Sequence, residues 1–157
     1  MKDAKMRTWR GFLRLSGFER RIAVQAAVAL IATQAGLRLV GFSQWKRVLA
    51  WLSPAACGDP GRIEPRDGYS AHEIARVQAA VEKHLFFCAN CLEHSLALWW
   101  QLRRHGIPSE LRIGGRKEHG RFEAHAWVES NGVALSGPND HDLQFVPFDG
   151  PTASMKA

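Results

Sequence analysis

Cys91 and His125 are the two residues of this chain best placed to do chemistry. Cys91 opens the segment CLEHSLALWWQLRRHGI, whose spacing predicts a long amphipathic helix ended by Gly106 and Pro108. His125 sits in the middle of RFEAHAWVES, which reads as a strand. A thiol at a helix N-terminus feels the positive end of the helix dipole, which favours the thiolate. A histidine held on a neighbouring strand can take the thiol proton and later return it. Cysteine first, then a histidine 34 residues on, is the layout of a thiol nucleophile with its base. Each residue alone also fits a plainer role, Cys91 as a small buried hydrophobe and His125 as a satisfied histidine on a sheet.

A third group normally orients the imidazole through its other ring nitrogen. Asn139, Asp140 and Asp142 follow the Asn131-Gly132 turn. Asp140 is the choice, because a hairpin strand returning beside His125 brings this stretch near it. Asn139 is the second candidate, since an amide oxygen can also orient a histidine. Period two puts Glu123, Trp127 and Glu129 on the face of His125, and Ala124, Ala126 and Val128 on the other.

Cys88 and Cys91 form a C-x-x-C. A thioredoxin-like redox site needs a preceding parallel strand, which the pattern lacks. A zinc site needs two further ligands. His84 and His94 are nearby, but no second paired motif exists. No metal and no cofactor are therefore expected, and Cys88 is assigned to packing. His72, His84, His105, His119 and His141 are expected on helix surfaces or in turns.

The elements that must position this chemistry follow from periodicity. Residues 18–39 carry Ile22, Ala26, Ala29, Leu30 and Thr33 at helical spacing, with Ser16 and Glu19 as a capping box and Gly36 or Gly41 as the interruption or stop. FSQWKRVLAWL is a short amphipathic segment with Phe42, Trp45, Val48, Leu49 and Leu52 on one side. A Pro- and Gly-rich connector spans residues 53–68. Ser70 then starts a helix with Glu73 at its capping-box position and Ile74, Val77, Val81 and Leu85 as its apolar stripe. Asn90 caps the helix that begins at Cys91, and Leu92, Leu96, Trp99 and Leu102 form that helix's buried stripe. The second half changes to period two, through ELRIGGR, RFEAHAWVES, GVALS and QFVPF, with Asn131-Gly132 as a hairpin turn. Helices first and an antiparallel meander second make the fold class α+β. Residues 1–52 are expected to form an N-terminal helical subdomain packed on the core and residues 70–149 the catalytic core, as a single structural domain.

Composition narrows the function classes. The chain has 157 residues, 46% of them hydrophobic and 23% charged, ordinary values for one globular domain. Three cysteines are too few for a disulfide scaffold, and the odd count suits a reducing compartment; the location expected is cytoplasmic. The formal charge of +6 is spread along the chain without basic runs interleaved with aromatics, so no nucleic-acid partner is expected. IAVQAAVALIA after Arg21 imitates a signal peptide. The preceding Trp9, Phe12, Leu13 and Phe18 look like core, and Gln25, Thr33, Gln34, Gly36 and Arg38 interrupt the apolar run, so no stable membrane insertion is expected.

At CLEHSLALWWQLRRHGIPSELRIGGRKEHGRFEAHAWVESNG the sequence resembles the transglutaminase-like leader peptidases of lasso peptide biosynthesis. The helix opening C-L-x-x-S-L-A-L, the G-I-P exit, the L-R-I-G strand and the A-H-A-W-V-E strand match in order, over residues 85–135. The match extends more loosely into the N-terminal helices and the F-V-P-F ending. The resemblance implies a transglutaminase-like (papain-like) fold with the sheet packed on the nucleophile helix, and a Cys-His-Asp cysteine protease that cuts the leader from a ribosomally made precursor. It implies Cys91 as nucleophile and His125 as base. The place expected for the family's acid holds Gly137, and Asp140 is assigned by a small shift of the loop. The partners implied are the precursor's leader region, a separate leader-recognition protein and an ATP-using, macrolactam-forming cyclase; Trp9, Phe12, Phe42 and Trp45 are candidate contacts for the recognition protein. Other readings of the same residues are an acyltransferase or transglutaminase with the same thioester chemistry, and a non-catalytic scaffold of the maturation complex.

Overall fold

Capping chemistry sets where three of the four described helices begin. The structure is a computed structural model and describes residues 16–53, 70–84, 89–118, 121–135 and 145–148. Its helices are α1 (Gly17–Leu39), α2 (Phe42–Leu52), α3 (Ala71–His84) and α4 (Cys91–Arg104). Ser16 and Glu19 cap α1 reciprocally: the Glu19 N–H donates to Ser16 Oγ at 3.2 Å and the Ser16 N–H to Glu19 Oε2 at 2.9 Å. Ser70 and Glu73 do the same for α3, and Asn90 and Glu93 for α4. Each box satisfies two backbone donors that the helix itself leaves open. At the other end of α4, Gly106 takes φ +74°, and the Ile107 N–H returns to the Leu102 carbonyl at 2.9 Å. Only a residue without a Cβ turns the chain there cheaply.

The strands are β1 (Glu110–Glu118), β2 (Arg121–Ser130), β3 (Val133–Ala134) and β4 (Val146–Pro147). They form one antiparallel sheet in the order β3-β2-β1-β4. Asn131 (φ +52°) and Gly132 (φ +76°) make the tight turn between β2 and β3. The fold is α+β. It is not a simple meander, however: β4 leaves its sequence neighbour β3 and pairs with β1, Gly114 opposite Pro147 and Gly115 opposite Val146.

Helix α4 is the hub. Its Leu96, Ala97, Leu98 and Leu102 are wholly buried. Leu96, Leu98, Trp99 and Leu102 share one core with Ile22 and Ala23 of α1, Ile74 and Val77 of α3, Leu49 of α2 and Val128 of β2. Burial of these aliphatic side chains is the main driving force for assembling the layers.

Three sequence expectations are corrected. Gly36 neither interrupts nor ends α1; it is a contact point, where a Cβ would stand 2.1 Å from the Trp45 indole of α2. On α2 only Leu49 is fully buried, while Val48 and Leu52 face outward, because the helix rests on its neighbours through Phe42, Trp45, Leu49 and Ala50. His105 is not on the surface. It is 7% exposed, its Nε2 lies 3.3 Å from Gln25 Oε1, and its ring meets Phe18 edge-on. Leu85, His119 and His141 lie outside the described residues.

By length and composition α1 is apolar enough to cross a membrane, with mean hydropathy 1.5 over its best window, and 39% of that window is buried against the rest of the fold. Val24, Val28, Ile31 and Leu39 form its outward apolar side.

Two expected outcomes follow from these contacts. Gly36→Ala forces Trp45 off α1 and costs about 1–3 kcal/mol by urea unfolding, whereas Gly17→Ala, which meets nothing within 4 Å, leaves the midpoint nearly unchanged. The Glu73 carboxyl is held below its ordinary value of 4.5, first by the Ser70 backbone N–H and then by the Ser70 hydroxyl. A lowered acid stabilises the folded state above its unfolded value and loses that contribution as pH falls through the folded one. Glu73→Gln therefore lowers the urea midpoint near neutral pH and narrows its gap to the parent protein in acid.

Candidate functional site

Cys91 is the first residue of α4 and is half-buried. The capping box commits the Glu93 N–H to Asn90 Oδ1 at 2.9 Å, and the His94 N–H closes the first helical turn on the Asn90 carbonyl. The N–H groups of Cys91 and Leu92 have no intrahelical partner in such a turn. The thiol thus sits beside two backbone donors at the positive end of a helix, an arrangement suited to an anion.

His125 lies in the middle of β2, half-buried, opposite Gly114 of β1. Its ring stacks on Trp127 (centroids 6.3 Å apart, planes 13° apart) and leans on Phe145 at 5.0 Å. Gly114 makes this possible. A Cβ there would stand 2.8 Å from the Trp127 ring and 2.5 Å from the Val146 carbonyl. Two aromatic rings fix the imidazole plane and shield it from water.

The register pairs Arg112 with Trp127, Gly114 with His125 and Arg116 with Glu123, which puts all six on one face. Glu123 and Glu129 of that face are already engaged. Glu123 accepts from Arg116 at 2.7 and 2.8 Å, and Glu129 accepts from Arg112 Nε at 3.1 Å and from the Trp127 indole at 2.8 Å. Neither is placed to serve as the third member of a triad. Asp140, Asn139 and Asp142 lie outside the described residues, as do Cys57 and Cys88.

What couples helix to strand is Ser95. Its hydroxyl, wholly buried, donates to the Ala126 carbonyl at 2.8 Å. Ser95 is one turn beyond Cys91 on the same side of α4, and Ala126 is the residue after His125. The Val128 carbonyl accepts from the Leu135 N–H on the β3 side, so the Ala126 carbonyl, two residues away, also points off β1 towards the outer edge of β2. The start of α4 therefore runs along that edge. Further on, Ser130 Oγ donates to the Pro108 carbonyl at 2.7 Å, so helix and strand advance in the same direction. One turn back along the helix, about 6 Å, matches about two strand residues. Cys91 therefore stands one helical turn from the Ser95–Ala126 bond, on the side towards Ala124. Sequence reasoning passed over Ser95; a polar residue four positions after Cys91 on an otherwise apolar stripe was the available signal.

His94, weighed from sequence only as a zinc ligand, instead pairs through Nδ1 with Glu82 of α3, while Gln78 donates to the His94 carbonyl at 3.0 Å. These contacts clamp α3 to the first turn of α4. Among the described residues no group of three or more metal-ligating side chains converges.

A family model described as the transglutaminase-like superfamily matches residues 36–148. That superfamily includes cysteine peptidases and acyltransferases. No curated protein and no solved structure gives a significant match to the chain.

Ser95→Ala removes the latch and leaves the Ala126 carbonyl buried and unpaired. The expected loss is about 1–3 kcal/mol in urea unfolding, and hydrogen exchange at the start of α4 should speed up more than in its Leu98–Leu102 portion.

Proposed function

The chain belongs to the transglutaminase-like superfamily, and on that premise we propose that it is a cysteine peptidase that removes the leader from a lasso peptide precursor. Three features support this reading. Cys91 opens a capped helix, His125 is held by Trp127 and Phe145, and Ser95 binds the helix to the residue next to His125. The last carries the most weight, because a nucleophile and base on separate elements need a fixed separation. The resemblance to leader peptidases over residues 85–135, which includes Ser95 in C-L-x-x-S-L-A-L, is what supports the choice of substrate.

In the proposed reaction His125 takes the Cys91 proton and the thiolate attacks the scissile carbonyl. The oxyanion is met by the N–H groups at the start of α4. The His125 imidazolium protonates the leaving amine as the C–N bond breaks, leaving a thioester on Cys91. Neutral His125 then draws a proton from water, whose oxygen attacks the thioester. The acid is released and Cys91 regains its proton. Asp140 is the proposed orienting acid, since Glu123 and Glu129 are bound by arginines. The proposed partners are a separate leader-recognition protein and the cyclase that closes the freed N-terminus, in the cytoplasm.

Cys91→Ala and His125→Ala should keep the parent fold by circular dichroism, yet lower leader release from a precursor, in the presence of the recognition protein, by several orders of magnitude. Product masses show one added water for hydrolysis and an added amine for acyl transfer. Undiminished release by Cys91→Ala rules the reading out.

A further inference from the structure

The sheet face that α4 covers does not end where α4 begins. Ala126 and Val128 lie under the helix, but Ala124, Phe122 and Gly115 continue the same face past Cys91, and among the described residues no helix covers them. There Phe122 stacks on Phe148, centroids 6.0 Å apart and planes 24° apart. The pair stays 66% and 57% exposed. Gly115 beneath them lets the rings lie close to the sheet: a Cβ would stand 2.5 Å from the Phe122 ring and 2.9 Å from the Phe148 ring. Two large aromatics stacked together and left exposed make an apolar patch of the kind that marks an interaction site.

A second feature lies alongside. The alternation that points the Ala126 and Val128 carbonyls off β1 also points the backbone N–H and C=O groups of Ala124 and Phe122 outward. Ser95 takes the Ala126 carbonyl, and β3 pairs only with Glu129 and Ser130. Among the described residues nothing pairs with the outward groups of Phe122 and Ala124. An open strand edge of this kind accepts an extended chain.

We propose that this edge and its aromatic pair form the peptide subsite of Cys91: an extended peptide adds to β2 at Phe122 and Ala124 and seats one apolar side chain on Phe122 and Phe148. The proposal rests on Cys91 being the nucleophile and adds to it the class of substrate, an extended segment with a large apolar residue at a fixed distance from the cut. Exposed Lys117 and Arg121 border the pair, so the residues flanking the apolar one are neutral or acidic.

The test uses Cys91→Ala protein, which binds without cutting, and positional-scanning mixtures of acetylated peptides. Peptides with Leu, Phe or Trp at one position should bind about tenfold tighter than those with Ser there and shift the Phe122 and Ala124 amide resonances. N-methylation of the pairing residues should abolish binding to the unaltered surface, a result that does not depend on any variant folding. Phe122→Ser with Phe148→Ser should erase the side-chain preference. No binding, binding without positional preference, or shifts confined to other surfaces overturns the subsite. If the precursor is cut but Phe122 and Ala124 do not respond, the peptidase stands and the subsite falls. If selected peptides bind there and wild-type protein cuts none, the subsite stands and the peptidase falls.

Discussion

The hydrogen bond from Ser95 to the Ala126 carbonyl is the constraint on which the site depends. A thiol on a helix and an imidazole on a strand belong to separately formed elements, and only tertiary contacts fix their relation. The bond is short, wholly buried and made by a side chain one turn from Cys91 to a backbone atom one residue from His125. It also closes one position of a sheet edge that would otherwise present an unpaired buried carbonyl. Packing of Leu96 and Leu98 with Val128 brings helix and strand together, and the hydroxyl sets their register.

Around this latch the two partners sit in contrasting settings. Cys91 occupies a helix start braced on several sides: Asn90 and Glu93 cap it, Glu82 holds His94, and Gln78 holds the His94 carbonyl. His125 stands on the opposite face from Ala126, among aromatics and arginine-bound carboxylates. In the proposed reaction the thiol reaches the imidazole from the rim of the sheet.

Much of the helical half was legible in the sequence, because helix boundaries are local. Ser16 with Glu19 and Ser70 with Glu73 announce their caps at fixed spacing, as Asn90 does alone, and all three caps form. The strands and the Asn131-Gly132 turn were legible for the same reason. What was not legible depends on contacts distant in sequence. Gly36 reads as a breaker until Trp45 is seen against it. His105 reads as surface until Gln25 and Phe18 close over it. The move of β4 to the far edge of β1 has no local signal, yet it delivers Phe145 to His125 across Gly114. The pairing of Cys91 with His125 was suggested by order and element type, while Ser95, which ties the two elements, was assigned no role, because its partner lies 31 residues away.

A bifunctional alkylating agent that bridges a thiol to an imidazole, such as dibromoacetone, tests the central claim most directly. The reagent spans only a few ångströms and reacts first at sulfur, then at a ring nitrogen in reach. Peptide mapping by mass should recover Cys91 joined to His125, with the yield falling in Ser95→Ala. A bridge from Cys91 to His94, or Cys91 alkylated with no bridge to His125, would contradict the account.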